Sequence, residues 1–213
     1  MVNNMVNLDR KPGRPKNTKL NGRRRYLTEQ EMARFVKERG KAGRRYDLLF
    51  TLTWYFALRV GETVRLTLSD FNLDQHQLTI RPEKHGRERV YELPEQIEQK
   101  YRRWLKERAE LEGASENRFV FPSFLLPRSG AMSRDAAQAV FRTLCRRAQV
   151  GMPRSIHDLR HSRAQDLLRG GADLGTVKKF LRHRDIASTQ VYLDDEEDAQ
   201  NERRIAVRSA RFL

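Results

Sequence analysis

The segment His157-Asp158-Leu159-Arg160-His161 holds three groups able to bind a metal ion or a phosphate. On a helix, His157 and Arg160 stand at i, i+3 and His157 and His161 at i, i+4, so all three lie along one face with Cβ atoms about 5–6 Å apart. A hydrolytic zinc helix wants Glu after its first His and a third ligand elsewhere. Asp158 occupies the Glu position, no cysteine partner is at hand, and the fixed charge of Arg160 sits beside the would-be ligands, so no metal is expected. Histidines in a purely structural role are the plain alternative for this segment read alone. A phosphate site accounts for the charges, because an Arg can donate paired hydrogen bonds to two non-bridging oxygens where Lys and His cannot. Arg59 is the second such candidate, although an Arg at a helix end is commonly a surface ion-pair partner, here of Glu62 three residues on. Attack on a phosphodiester would also need a nucleophile, an acceptor for its proton and a donor for the leaving oxygen. Downstream, Leu181-Arg182-His183-Arg184-Asp185 leads to Tyr192, whose phenol is a candidate nucleophile, though a single Tyr on such a helix is usually core or interface.

These residues need a scaffold, and the pattern predicts a mainly helical one with a small β element. Thr28 followed by Glu31 makes a capping box for a helix ending near Gly40. Tyr46 to Leu58 is apolar on nearly every face, which predicts a helix in the middle of the core with Arg59-Val60-Gly61-Glu62 at its end. Gln77 to Arg81 and Arg89 to Leu93 are rich in β-formers and flank a polar turn over residues 83–88, reading as a hairpin with a basic tip. Helical patterning resumes from Glu95 to about Leu111, Phe119 to Pro122 is extended, and Ser133 opens a helix to about Gln149. Ser155 is read as the cap of a helix through Arg169 that Gly170-Gly171 ends, followed by shorter helices over Asp173 to Leu181 and Asp185 to Tyr192.

The 213 residues carry 43 Lys plus Arg against 28 Asp plus Glu, a formal charge of +15 that points to a polyanionic partner. Hydrophobic residues at 38% can build a core, so wholesale disorder is excluded. The single Cys145 rules out an internal disulfide framework. The apolar stretch Leu48 to Leu58 falls short of the roughly 18–20 residues a membrane span needs. A cytoplasmic, DNA-associated protein with no membrane contact is expected. Residues 1–26 read as a basic DNA-binding arm that carries +7 and leaves +8 for the rest. Its Pro12-Gly13-Arg14-Pro15-Lys16 run resembles short hooks that lie in narrow minor grooves, while the plainer reading is a solvated basic tail that binds any nucleic acid through counterion release.

Taken together, the residues resemble the tyrosine recombinase (phage integrase) family. Its catalytic domain has an Arg near the end of a buried helix followed by x-x-Glu, a Lys on a β-hairpin, a His-x-x-Arg-His helix, a second His in a Leu-Gly-His-like motif and a Tyr nine residues later. The matching positions, in the family's order, are Arg59 with Glu62, Lys84, His157-Asp158-Leu159-Arg160-His161, His183 and Tyr192. The resemblance implies an α+β catalytic-domain fold over residues 27–193 and a site-specific DNA recombinase that needs no cofactor. Tyr192 would attack a scissile phosphate to form a 3′-phosphotyrosine bond. Arg59 and Arg160 would stabilise phosphoryl charge, Lys84 would protonate the leaving 5′ oxygen, His157 would take or position the tyrosine proton, and His183 would hydrogen-bond the phosphate. Glu62 and His161 would orient these groups, and Arg14, Lys16, Arg23, Arg24, Arg25, Arg87 and Arg182 are the candidate DNA contacts.

Two departures from the family pattern stand out. Arg182 replaces the usual Gly before the second His, which bears on the local turn and adds a candidate phosphate contact. Most members carry an N-terminal helical domain of about a hundred residues. The expectation here is a catalytic-domain-only chain preceded by the basic arm, which would partly substitute for that domain, resembling the short members that invert small promoter segments. By the same resemblance, double-stranded DNA is the partner, a homo-tetramer assembles on paired sites, and accessory DNA-binding proteins could take part. The tail over 194–213 would contact a neighbouring protomer or pack on its own domain. The competing readings are a DNA-binding regulator with a vestigial site and a relative of single-strand topoisomerases or telomere resolvases.

Overall fold

A computed structural model describes residues 25–82, 88–123, 130–151 and 154–182. Arg14, Lys16, Arg23 and Arg24 of the arm, Lys84 and Arg87 of the expected hairpin tip, His183, Tyr192 and the tail over 194–213 lie outside the described residues. The elements run α1 (Glu29–Lys41), α2 (Arg44–Tyr55), α3 (Val60–Val64), β1 (Phe71–Asn72), β2 (Gln77–Ile80), β3 (Arg89–Glu92), α4 (Glu95–Ala109), α5 (Arg134–Arg147), α6 (His157–Arg169) and α7 (Leu174–Leu181).

Helix α2 is the axis of the molecule, as its all-round apolarity dictates. Leu48, Leu49, Phe50, Leu52 and Trp54 are all buried, and α1, α3, α4 and α6 pack around them. The polar side chains on this helix are satisfied locally, Thr51 donating to the Asp47 carbonyl at 2.7 Å and Thr53 to that of Leu49 at 2.8 Å. Phe35, Phe50 and Phe141 meet with ring centroids 5.3–5.8 Å apart and so lock α1, α2 and α5 together. Cys145 lies in this core, where burial pushes its thiol up to about 12, so it packs as a small hydrophobe. Asp47 accepts from Arg39 at 2.7 Å and from Lys100, which joins α1, α2 and α4.

Helix ends follow the local signals closely. Thr28 and Glu31 form the expected reciprocal box, Ser133 caps α5, and Asp173 caps α7 by accepting from the Thr176 amide at 3.0 Å. The end of α2 differs from expectation. The helix stops at Tyr55 in a Schellman turn, with Ala57 left-handed at φ 47° and the Leu58 amide returning to the Thr53 carbonyl at 3.0 Å. Arg59 therefore stands at the start of α3, not on the end of α2. The same closure ends α5 at Gln149 and α6 at Gly171, the latter where the Gly pair predicts it. Ser155 does not cap α6: the cap position is Ile156, and Asp158 instead accepts from the Ser155 amide at 3.2 Å.

The hairpin forms as expected, with Leu78 opposite Tyr91 and Ile80 opposite Arg89, and a third strand extends it. That strand, β1, pairs Phe71 with Leu78. Two residues are too short to show a period-2 signal. Phe71 is held there by stacking on Tyr101 of α4, with centroids 3.9 Å apart. At the start of the described chain, the Leu27 amide donates to Ser162 at 2.9 Å and the Arg169 guanidinium lies over the Tyr26 ring, fastening the entry segment to α6.

Candidate active site

The Schellman turn after α2 aims the chain so that Arg59 is extended at the start of α3. Glu62, one turn later, turns back and accepts from the Arg59 amide at 2.8 Å and from its guanidinium at 3.1 Å. The Glu62 side chain is 1% exposed and that of Arg59 is 43% exposed. This is the pairing expected from sequence, with the carboxylate buried and the guanidinium presented outward.

Helix α6 carries the second motif, and its spacing does what the sequence predicts. The His157 and His161 rings pack edge to face with centroids 4.7 Å apart. Arg160 lies deeper: it is fully buried, and its two terminal nitrogens donate to the carbonyls of Ala57 and Leu181. It thereby ties the end of α2 to the end of α7. A second residue of α6 reinforces this arrangement. Arg163 is buried among Trp54, Tyr55 and Phe180, its guanidinium 5.0–5.5 Å from the three ring centroids, and pairs with Asp166 at 2.7 Å. The surface of α7 that precedes His183 is thus clamped onto α6 and α2.

Arg182 was expected as a phosphate contact, and the structure turns it inward. It occupies a left-handed position after α7, at φ 57° and ψ 37°, the conformation that a Gly adopts most easily. A non-Gly residue there costs about 1 kcal/mol relative to Gly. Its side chain is 11% exposed and pairs with Glu62 at 2.8 Å, donates to the Ala57 carbonyl at 3.2 Å and comes within 3.5 Å of the Tyr91 hydroxyl. Motifs more than a hundred residues apart therefore converge on one carbonyl, that of Ala57, which accepts from both Arg160 and Arg182. Sequence reading missed the Arg182–Glu62 pair, and its one visible sign was an Arg in a slot that the family pattern gives to Gly.

The electrostatics set the state of His157. More than a third of its surface is exposed, yet loss of hydration on its packed side, and then the charges of Arg160, Arg25 and Arg59, push its imidazolium down to about 4. With that much of the ring open to water, the direction is what matters: His157 is neutral at pH 7 and able to accept a proton. Arg25, the last cation of the arm, thus acts on the site as well as being a candidate DNA contact. A pH test follows. The unfolded chain takes up a proton at His157 near pH 6.5 that the folded one refuses until about 4, so this residue's contribution to stability is lost as pH falls through that window and is intact above it. Urea unfolding between pH 7 and pH 5 should therefore weaken wild-type protein more than His157→Gln, by on the order of 1 kcal/mol after discounting for solvent screening. Equal losses in the two proteins would show that His157 carries no such shift.

Among the described residues, no group of three or more His, Cys, Asp or Glu side chains is arranged to hold a metal ion, and no helix is long and apolar enough to cross a membrane.

Comparison with known proteins places this arrangement in context. Tyrosine recombinase XerD of Brucella abortus is 36% identical over 156 residues, which cover 73% of this chain and 49% of XerD. The chain spans about half the length of the XerD relatives it matches. Type 1 fimbriae regulatory protein FimE of Escherichia coli K12 is 30% identical over 172 residues, covering 80% of this chain and 85% of FimE. The crystal structure of XerA recombinase superposes with a TM-score of 0.68 at 24% identity, covering 87% of this chain and 64% of XerA, so the fold is that of the tyrosine recombinase catalytic domain. The sequence pattern of the phage integrase family matches residues 25–198, and the chain belongs to that family.

Proposed function

We propose that this chain is a site-specific DNA recombinase that cuts and rejoins DNA through a 3′-phosphotyrosine intermediate. In the cleavage step the Tyr192 oxygen bonds to the scissile phosphorus, the bond from phosphorus to the 5′ oxygen breaks, and Lys84 gives that oxygen a proton. His157 accepts the phenol proton. The phosphodiester energy is kept in the new bond, and attack by the 5′ hydroxyl of a partner strand reverses the chemistry, so no nucleotide or other cofactor is consumed. Arg59 and Arg160 supply positive charge where the phosphoryl oxygens gain negative charge, work that a metal ion performs elsewhere. His183 hydrogen-bonds the phosphate, and Glu62 and His161 orient these groups.

The observation that carries the reading is the convergence at the Ala57 carbonyl. It brings together Arg160 and the residue just before His183, two positions from Arg59. A neutral His157 beside these cations supports its role as proton acceptor. Duplex DNA is the partner, gripped by the arm through Arg14, Lys16, Arg23, Arg24 and Arg25 and at the hairpin tip by Arg87. A tetramer would form on two paired sites, with residues 194–213 reaching the neighbouring protomer and accessory proteins shaping the DNA.

Covalent trapping tests this. Protein is mixed with duplexes from the DNA flanking its gene, nicked so that the freed strand diffuses away, and run on a denaturing gel with and without EDTA. A slow-migrating protein–DNA band that forms equally well in EDTA is the expected result. Tight duplex binding with no band on single or paired sites would instead favour a regulator, and relaxation of plasmids lacking any site would favour a topoisomerase.

A further inference from the structure

We infer that Arg182 is a positioning residue of the cleavage site, holding Glu62, and through it Arg59, against the segments that lead to Lys84 and His183. This rests on the recombinase reading above. Glu62 is almost wholly buried and bridges two guanidinium groups, its Oε1 to Arg59 and its Oε2 to Arg182. Without Arg182, Oε2 of that buried carboxylate loses its cation and keeps only the Arg59 amide at 2.8 Å, which loosens the carboxylate and with it the direction of the outward-facing Arg59 guanidinium. The same guanidinium reaches the Ala57 carbonyl and the Tyr91 hydroxyl. Tyr91 belongs to β3, the strand that returns from the Lys84 turn, and β3 is tied again to α7 by Arg89 donating to the Lys179 carbonyl at 2.7 Å. Arg182 itself directly precedes His183. One side chain thus joins the three segments that must hold a fixed distance during phosphoryl transfer. The planar fork suits this role, since one terminal nitrogen serves the carboxylate and the carbonyl while the other faces the Tyr91 hydroxyl, whereas the three donors of an ammonium all radiate from one atom. The left-handed backbone at this position is the cost of having Arg there, and the contacts of its side chain offset it.

The experiment uses the full chain and a nicked duplex carrying its site, measuring the single-turnover cleavage rate at saturating DNA, DNA affinity across a salt series, and 15N NMR of the Arg59 guanidinium in DNA-free protein. Arg182→Gly suits the left-handed backbone and removes the side chain alone. It should lose about tenfold to a hundredfold in saturated rate, the loss of one or two charge-assisted hydrogen bonds. Its DNA affinity should stay within about threefold and its salt slope unchanged. Arg182→Lys should recover only part of the rate. Combining Arg182→Gly with Glu62→Gln should lose less than the product of the two single losses, because both act through one contact. Weakened DNA affinity, a salt slope lower by about 1 and an unchanged saturated rate would overturn the inference and make Arg182 a DNA contact. Fully multiplicative losses with Glu62→Gln would overturn it too. If wild-type protein forms no adduct, the recombinase reading fails, and NMR then decides the inference. An Arg59 guanidinium signal that is altered in Arg182→Gly supports coupling through Glu62, and an unaltered one refutes it.

Discussion

Tyr192→Phe is expected to abolish the covalent protein–DNA adduct and to leave duplex binding at wild-type strength. The substitution deletes one oxygen atom, and that atom is the proposed nucleophile, so the adduct has no route to form. Loss of a nucleophile costs on the order of 10⁴-fold or more wherever the remaining groups act only in concert with it. DNA affinity should be untouched because it comes from cations contacting phosphates, and none of these is removed. The phenol also explains why a neighbouring base is needed. Near pH 7 only about one in a thousand unperturbed tyrosines is ionised. A neutral His157 supplies the acceptor, its imidazolium held down first by loss of hydration and then by the charges of Arg160, Arg25 and Arg59. Adduct formation by Tyr192→Phe on the same gel would place the nucleophile elsewhere; equal loss of binding and of adduct would mean that the variant had not folded.

The second large effect is expected at Arg160, and it strikes stability and chemistry together. Arg160→Ala removes a fully buried guanidinium and leaves the carbonyls of Ala57 and Leu181 without it. The Leu181 carbonyl stripped of its donor, the Ala57 carbonyl left with Arg182 alone, and the space vacated together cost about 3–5 kcal/mol. For a chain of this size that lowers the thermal midpoint by roughly 10 °C. Adduct formation, measured well below that midpoint, should fall by a further 10²–10³-fold, on the order of what one missing charge-stabilising donor costs. Arg160→Lys separates the two effects. It keeps the charge in the core and should restore much of the stability, while the donors of an ammonium radiate from one nitrogen and cannot match the rigid two-nitrogen fork, so cleavage should stay impaired. A lysine variant that cleaved like wild type would show that the charge alone suffices and that the fork serves no purpose in the reaction.

The parts of this protein that its sequence determined are those governed by neighbours in the chain. The Thr28–Glu31 box, the Ser133 and Asp173 caps and the stop at Gly171 each depend on groups within one turn of one another, and each is found where the residues call for it. The run of apolar residues after Tyr46 could only be a buried helix, and the i, i+4 spacing of His157 and His161 brought their rings together. The family resemblance, too, rests on ordered motifs that can be read without coordinates.

What the tertiary structure alone decided concerns groups with no local partner. Nothing near residue 160 announces that its guanidinium will reach the carbonyl of Ala57, and nothing near residue 182 shows that an Arg will fold inward onto Glu62. Strand β1 is two residues long and exists because Phe71 stacks on Tyr101 from another element. Arg59 is moved from the end of one helix to the start of the next by the left-handed turn at Ala57, a conformation that an Ala does not advertise. The lowered pKa of His157 comes from partial loss of hydration and from three cations, two of them more than ninety residues away in the chain. The physical reason is common to all of these. Capping and periodicity act over about one turn of chain and are written in consecutive residues. Burial, ion pairing and pKa shifts act through space over a few ångströms, and which residues come that close is settled when the helices pack.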